Sequence, residues 1–186
     1  MPTATELHIR KATVEDLDAV VELLHDAYDW LIAQGITDQW IQRFSRGSIE
    51  QIIDRDEVYV AISGEGVIAT FTLTYCPDPE FWDDPSADAG YIRRLVVDRR
   101  YAGQDLGGQL LDFATQLVAA AGREWLRLDC AKYNTRLQDY YRSHGFQHLG
   151  TVDLEHRQSG ALFQRSTAAS TTRGVPTPLV GALPGR

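Results

Sequence analysis

The sequence predicts a single α/β (α+β) domain, and three observations carry that expectation. Residues 91–118 read as a strand, a glycine-containing turn and a helix in immediate succession. Around that unit, β-rich runs and helical stripes alternate as far as residue 165. The 186 residues are enough for one real core, and no apolar run is long enough to span a membrane.

In chain order, residues 7–11 form a short first strand. Thr13 then caps a helix, with Asp16 three residues on, a capping box with Asp in place of Glu. Leu17, Val20, Val21, Leu24, Tyr28 and Leu31 recur at helical spacing as its buried stripe, and Gly35 ends it. Residues 36–40 lose that periodicity. A loop carrying Trp40 near Asp38 is a candidate substrate rim; the plainer reading packs Trp40 under a helix end. Ser48 caps a second short helix over residues 49–55. Residues 58–62 and 67–75 are β-rich runs around Gly64-Glu65-Gly66, a hairpin signal.

Residues 77–88 set five acids around Phe81 and Trp82, which reads as a solvated acidic loop or, functionally, as an electrostatic lure for an amine. Tyr91, Ile92, Leu95, Val96 and Val97 mark the central strand, and the helix after it runs to near Gly122. Residues 125–131 form the next strand and residues 134–143 a short helix. Residues 149–154 and 161–165 are the last two strands, with a polar turn over 155–160 between them. From Ser166 the chain is rich in Ala, Ser and Thr, then in Pro and Gly. It offers too little apolar surface to offset ordering entropy, so 166–186 is expected to be a disordered tail, 1–6 a flexible N-terminus and 7–165 the domain.

Composition narrows the function. The start, MPTATELHIRK, lacks an apolar signal core. The two cysteines, Cys76 and Cys130, form no metal-type pair and fit a reducing cytoplasm, the expected location. The five histidines show no ligand spacing, so no metal is expected. The net charge of −8 disfavours a nucleic-acid partner and is compatible with a cationic acceptor. A homodimer is left open.

The turn after the central strand holds Gly103, Gly107 and Gly108 ahead of Leu106, Leu110, Leu111, Ala114, Leu117 and Val118 at helical spacing. This arrangement aims backbone N–H groups and the positive end of a helix dipole at one point, and the natural guest there is an anion, usually a phosphate. Gln109 and Leu110 follow Gly108 where a nucleotide-hydrolysing loop needs Lys and Ser or Thr. The glycine spacing also misses the dinucleotide fingerprint. An ordinary turn with no ligand stays open on these residues alone.

That stretch resembles the acetyl-CoA loop of the GNAT N-acetyltransferase superfamily. Leu95, Val97, Asp98, Tyr101, Gly103, Gln104, Gly107, Leu110 and Leu111 fall in register with it. Ala102 stands where the family has Arg or Gln, and Asp105 where it has Gly. A second motif lies downstream: Asn134, Leu137, Tyr141 and Gly145-Phe146 at the family spacing. The element order matches as well, so the resemblance spans about residues 7–165. It implies a mixed, mostly antiparallel sheet of about six to seven strands flanked by about four helices.

The resemblance also implies a chemistry: transfer of an acetyl group from acetyl-CoA, as co-substrate, to a primary amine of a small molecule or peptide. Main-chain groups of Leu95, Val96 and Val97 would bind the pantetheine arm and polarise the acetyl carbonyl. N–H groups of Ala102, Gly103, Gln104, Asp105, Leu106, Gly107 and Gly108 would hold the pyrophosphate. Asn134 would contact the arm or a bridging water, or simply cap a helix. Tyr141 is in the position of the general acid, with Tyr140 next to it. For the base, many members place a Glu near the start of the central strand, where this chain has Tyr91. Ribosomal-protein alanine acetyltransferases place one five residues before the motif Asn, which here is Asp129. Asp129 is the expected base unless it pairs with Arg127 or Arg94 or water relays the proton, and Tyr91 joins Asp38 and Trp40 as an expected acceptor contact. Asp105 is expected to cap the helix with its carboxylate, competing with the pyrophosphate and weakening acetyl-CoA binding roughly tenfold. Open alternatives are a non-catalytic acyl-CoA-binding regulatory domain and a structural subunit that no longer binds the coenzyme.

Overall fold

A computed structural model of the chain describes residues 7–64, 66–84 and 88–168. The expected flexible N-terminus, and the expected tail beyond residue 168, lie outside the described residues. Strand β1 (His8–Lys11) leads through a 3-10 turn (Val14–Asp16) into helix α1 (Leu17–Ala33). Asp16 stitches this joint. Its carboxylate accepts from the Thr13 N–H at 2.8 Å and from Arg10 at 2.7 and 2.9 Å. Leu17, Val20, Leu23, Leu24 and Leu31 form the buried face of α1, and Gly35 turns the chain at a φ of +73°.

Helix α2 spans Arg46–Asp54 and begins three residues before the expected start at residue 49. Ser45 is the cap, its side chain accepting from the Ser48 N–H at 3.2 Å, because Ser45 and Ser48 are spaced so that either could cap and the earlier one leaves a full extra turn. Strands β2 (Val58–Ser63) and β3 (Gly66–Thr74) follow as the expected hairpin, then β4 (Ala89–Val97). A 3-10 turn (Arg99–Tyr101) precedes α3 (Leu106–Ala120). Then come β5 (Trp125–Ala131), α4 (Thr135–Ser143), β6 (Gln147–Thr151) and β7 (Ser159–Ser166). Strand β6 starts and ends earlier than expected. Gln147 and His148 pair with Gln164 and Phe163, whereas Val152 to Leu154 turn away to pack on a side cluster.

The seven strands lie in the order β1-β2-β3-β4-β5-β7-β6. Every neighbouring pair is antiparallel except β4 and β5, which run parallel. Helices α1 and α2 cover one face through Leu17, Val20, Leu24, Ile49, Ile52, Val58, Val60 and Val96. Helix α3 covers the other through Leu106, Leu110, Leu111, Ala114 and Val118 against Phe71, Ile92, Leu126, Leu128 and Phe163, with α4 residues packed on the same core. This mixed, mostly antiparallel sheet with four helices is the predicted fold.

The acidic loop is not simply solvated. Phe81 and Trp82 are buried with Tyr91 and Leu162 in a third cluster. Asp78 and Glu80 are held by Arg157 and His156 across from it. The apolar pair docks the loop, and the arginine takes two of the acids that the lure reading needed.

Two irregularities shape the centre of the sheet. Strands β4 and β5 pair only from Ala89–Trp125 to Tyr91–Arg127, after which they part. Between Thr70–Val96 and Thr72–Arg93, three steps on β4 oppose two on β3, a bulge with Arg94 at a φ of +51°.

Candidate active site

The wedge between β4 and β5 is the centre of the site. Past Tyr91 and Arg127 no ladder joins the two strands, so the edge of Ile92–Val97 facing β5 is free of sheet partners. This edge includes the main-chain groups of Leu95, Val96 and Val97. Val96 packs under α1, while Leu95 and Val97 pack on the α3 side. A cavity of about 80 Å³ lies between α1 and this end of β4, lined by Leu23, Asp26, Ala27, Val96, Val97 and Arg99.

Helix α3 starts at the open end of the wedge. The Ala102 N–H is spent on the Arg99 carbonyl at 3.1 Å, and the Gln104 N–H reaches Tyr101 at 3.4 Å. The N–H groups of Gly103, Leu106, Gly107 and Gly108 have no partner among the described residues. Gly103, at a φ of +83°, and Asp105, at +54°, turn the backbone sharply between the 3-10 turn and α3.

Asp105 is the helix cap by position, but its carboxylate makes no capping bond, contrary to expectation. Asp105 Oδ1 lies 3.0 Å from His144 Nε2 instead. The left-handed backbone swings the carboxylate toward α4, leaving the N–H groups free. The competition expected between Asp105 and an anion is therefore not built into the capping geometry.

Two glycines permit close approach of α4. A Cβ on Gly107 would lie 2.2 Å from the Tyr140 hydroxyl. One on Gly108 would lie 2.5 Å from Asp105 Oδ1 and 2.6 Å from His144 Nε2. Sequence reasoning missed this role of Tyr140 and His144, because nothing local links residues 107 and 140. Burial, then the charge of Asp105, pushes the Tyr140 phenol up to about 12.

Tyr141 packs against Phe146, Phe163 and Tyr140 on the α3 side of the sheet. Burial above all, then Cys130, Tyr140 and Asp129, pushes its phenol well above the usual range, so it stays protonated at neutral pH. Asp129 is on β5 beyond the last residue paired to β4. Leu126, Leu128 and Cys130 point into the α3-side core, so Asp129 faces the opposite side, level with Leu162 of β7. Neither structural partner considered from the sequence engages it. Arg127 bonds Gln164 and lies over Trp82, and Arg94 lies over Phe44.

The α1–α2 loop closes over this face. The Asn134 side chain caps α4 through the Leu137 N–H at 3.0 Å and also donates to Gln39 Oε1 at 3.1 Å, tying the loop to the end of β5. Trp40 meets Phe44 edge-on at 5.0 Å and packs on the α1–α2 core, while Asp38 is half-buried beside it. Tyr91 is only 2% exposed beneath Trp82, so it forms part of the floor and not the rim. A larger cavity of about 350 Å³ lies beyond β5, lined by Lys132, Tyr133, Asp153, Glu155, Arg157 and Gln158. Among the described residues no group of His, Cys, Asp and Glu could hold a metal, and no helix is long and apolar enough to cross a membrane.

A parallel strand pair that parts, followed by a helix whose first N–H groups have no partner among the described residues, is the arrangement of an acyltransferase. Residues 17–146 match the model of the acetyltransferase (GNAT) family, and the chain belongs to that family. It is an acetyltransferase. It is 31% identical over 146 residues, 75% of this chain and 81% of the relative, to the uncharacterized N-acetyltransferase YesJ of Bacillus subtilis. A GNAT-family acetyltransferase from Listeria monocytogenes superimposes with a TM-score of 0.75 at 27% identity, covering 89% of this chain and 98% of that one. The PaiA N-acetyltransferase of Thermoplasma acidophilum, solved with coenzyme A, has a TM-score of 0.68 at 20% identity, covering 87% and 99%.

Proposed function

We propose that this protein transfers the acetyl group of acetyl-CoA directly to a primary amine of a small acceptor, with Tyr141 as general acid and Asp129 as general base. The observation that carries this reading is the parting of β4 and β5 beyond Tyr91 and Arg127, with Tyr141 on one face and Asp129 on the other. The unpartnered N–H groups of Gly103, Leu106, Gly107 and Gly108 suit the pyrophosphate. The coenzyme A bound by the Thermoplasma relative supports the choice of donor. The arm then runs into the wedge, where free main-chain groups of β4 meet the thioester carbonyl and stabilise its developing oxyanion.

In this reading the amine approaches from the α1–α2 face and gives a proton to Asp129, directly or through water. Its nitrogen attacks the carbonyl carbon to form a tetrahedral intermediate. The C–S bond then breaks and the thiolate takes the Tyr141 proton on the far face, while the second proton leaving the amide nitrogen passes to water, from which the Tyr141 phenolate is reprotonated. Burial keeps this phenol protonated at neutral pH but also makes it a weaker acid toward a thiolate, so the proton passes only once the C–S bond has broken.

Calorimetric titration with acetyl-CoA and thiol release with a panel of primary amines test the reading. Binding together with amine-dependent thiol release is the expected result. Binding without release for any amine would leave a coenzyme-binding domain instead. Absence of binding would remove the donor assignment.

A further inference from the structure

The acceptor face of the wedge carries an arginine that the acetyl-transfer reading leaves unused. Arg94 sits at the bulge of β4 with a φ of +51°, an unfavourable backbone for a long side chain. Its guanidinium lies 4.9 Å from the centre of the Phe44 ring, under the α1–α2 loop that also carries Gln39 and Trp40. Its Nε is buried and has no hydrogen-bond partner. Arg93 precedes it and likewise has no carboxylate partner among the described residues. The carboxylates whose fields reach these two arginines are committed elsewhere. Glu57 is bonded to Arg55 and Thr74, and Asp78 to Arg157.

A half-buried guanidinium without a counterion is costly, and buried charges are ordinarily paired. Burial first, and then Arg93, lowers the Arg94 pKa, the direction expected of a cation short of a partner. The other buried side-chain polar atoms without partners among the described residues are Trp82 Nε1 and Tyr91 Oη, both on this side of the sheet. Two of the three atoms are pure donors and the third can donate, so what the face lacks is an acceptor of hydrogen bonds. Asp129 meanwhile faces the same side across the gap.

We infer that the acceptor is a small primary amine that also carries an oxyanion, in the simplest case a carboxylate, which docks on Arg94 while its amine lies toward Asp129. The inference rests on the proposed N-acetyltransferase reading and narrows the acceptor that the sequence left open. A planar guanidinium fork matches a carboxylate or a phosphate bidentately, and the aromatic ring of Phe44 holds it flat.

The test is equilibrium titration of matched probes in the presence of coenzyme A. One set is α-amino acids, the second the amines left after decarboxylation, and the third aminoalkyl phosphonates of similar size. At least one amino acid or phosphonate is expected to bind about tenfold or more tighter than its decarboxylated counterpart. The two anionic sets separate carboxylate from phosphate-type recognition. Arg94→Met is expected to erase that preference and leave acetyl-CoA affinity unchanged. Arg94→Lys, which keeps the charge and much of the packing, should keep part of it if the methionine variant does not fold.

Equal or tighter binding of the decarboxylated amines, no binding by any set, or an intact preference in a folded Arg94→Met protein would overturn the inference. The acetyl-CoA titration is independent of these comparisons. Its failure would sink the acetyl-transfer reading while the preference for anionic probes could still be read.

Discussion

At the scale of single residues, the site depends on where a proton or a charge is held. Tyr141→Phe keeps the ring packing on Phe146 and Phe163 and removes only the hydroxyl. Its kcat should fall roughly a hundredfold with acetyl-CoA affinity unchanged, as for loss of a general acid. Steady-state kinetics beside a binding titration check this, and full activity would take Tyr141 out of the mechanism. Asp105 reads differently in the structure than in the sequence. Its carboxylate leans on His144 and is largely exposed, so solvent screens it from an anion at the helix start. Asp105→Gly should therefore change acetyl-CoA affinity by less than about threefold, an amount that titration at two salt concentrations resolves. A tenfold gain would restore the repulsion that the sequence suggested. Asp105 and Arg94 also show the limit of local reasoning. An Asp before a helix looks like a cap, and an Arg in the central strand looks like a partner for a nearby Asp. Only their positive φ values, imposed by turn and bulge, redirect them.

At the scale of elements, the joint between β1 and α1 and the contact between α3 and α4 make separate predictions. The Arg10 hydrogen bonds hold the Asp16 carboxyl below its ordinary value of 3.8, even against partial burial. A depressed carboxyl contributes stability above its unfolded value, and that contribution is lost as pH falls through the folded value. Thermal midpoints measured from about pH 5 down to about pH 2 should thus fall less steeply for Asp16→Asn than for the wild type, from a lower start at pH 5. Parallel curves would place the acid sensitivity elsewhere. On the other joint, Gly107→Ala drives a methyl into the Tyr140 hydroxyl. The ring must shift, at a cost of about 1–3 kcal/mol, and the start of α3 moves with it. A lower melting temperature together with weaker acetyl-CoA binding is the expected pair of changes. Unchanged values would mean that Tyr140 yields freely.

At the scale of the whole molecule, the sheet continues slightly past the limit that composition suggested. Ser166 pairs with Trp125, and the Thr167 N–H donates to the Glu124 carbonyl at 2.9 Å. Ending the chain at Arg165 should therefore lower the thermal midpoint measurably relative to ending it at Ala168, because strand β5 loses an edge partner at its first residue. Equal midpoints would show that these last bonds contribute nothing. The position of β5 matters because, among the described residues, it forms with β4 the one parallel pair, and the parting of that pair makes the wedge.

The sequence by itself determined the order of elements, the mixed fold, the family and the register of both motifs. Those features rest on local periodicity, on glycines at turns and on fixed spacings within one strand–turn–helix unit, as from Leu95 to Leu111. The tertiary structure alone decided which contacts cross the chain: Asn134 with Gln39, Asp105 with His144, Tyr140 over Gly107, Arg94 beneath Phe44. Each joins segments far apart in sequence, so no local pattern encodes it. The same holds for Asp129, whose candidacy depends on which side of the sheet it faces and on neither Arg127 nor Arg94 engaging it. Strand alternation gives its face, but only the packed loops around it decide what that face meets.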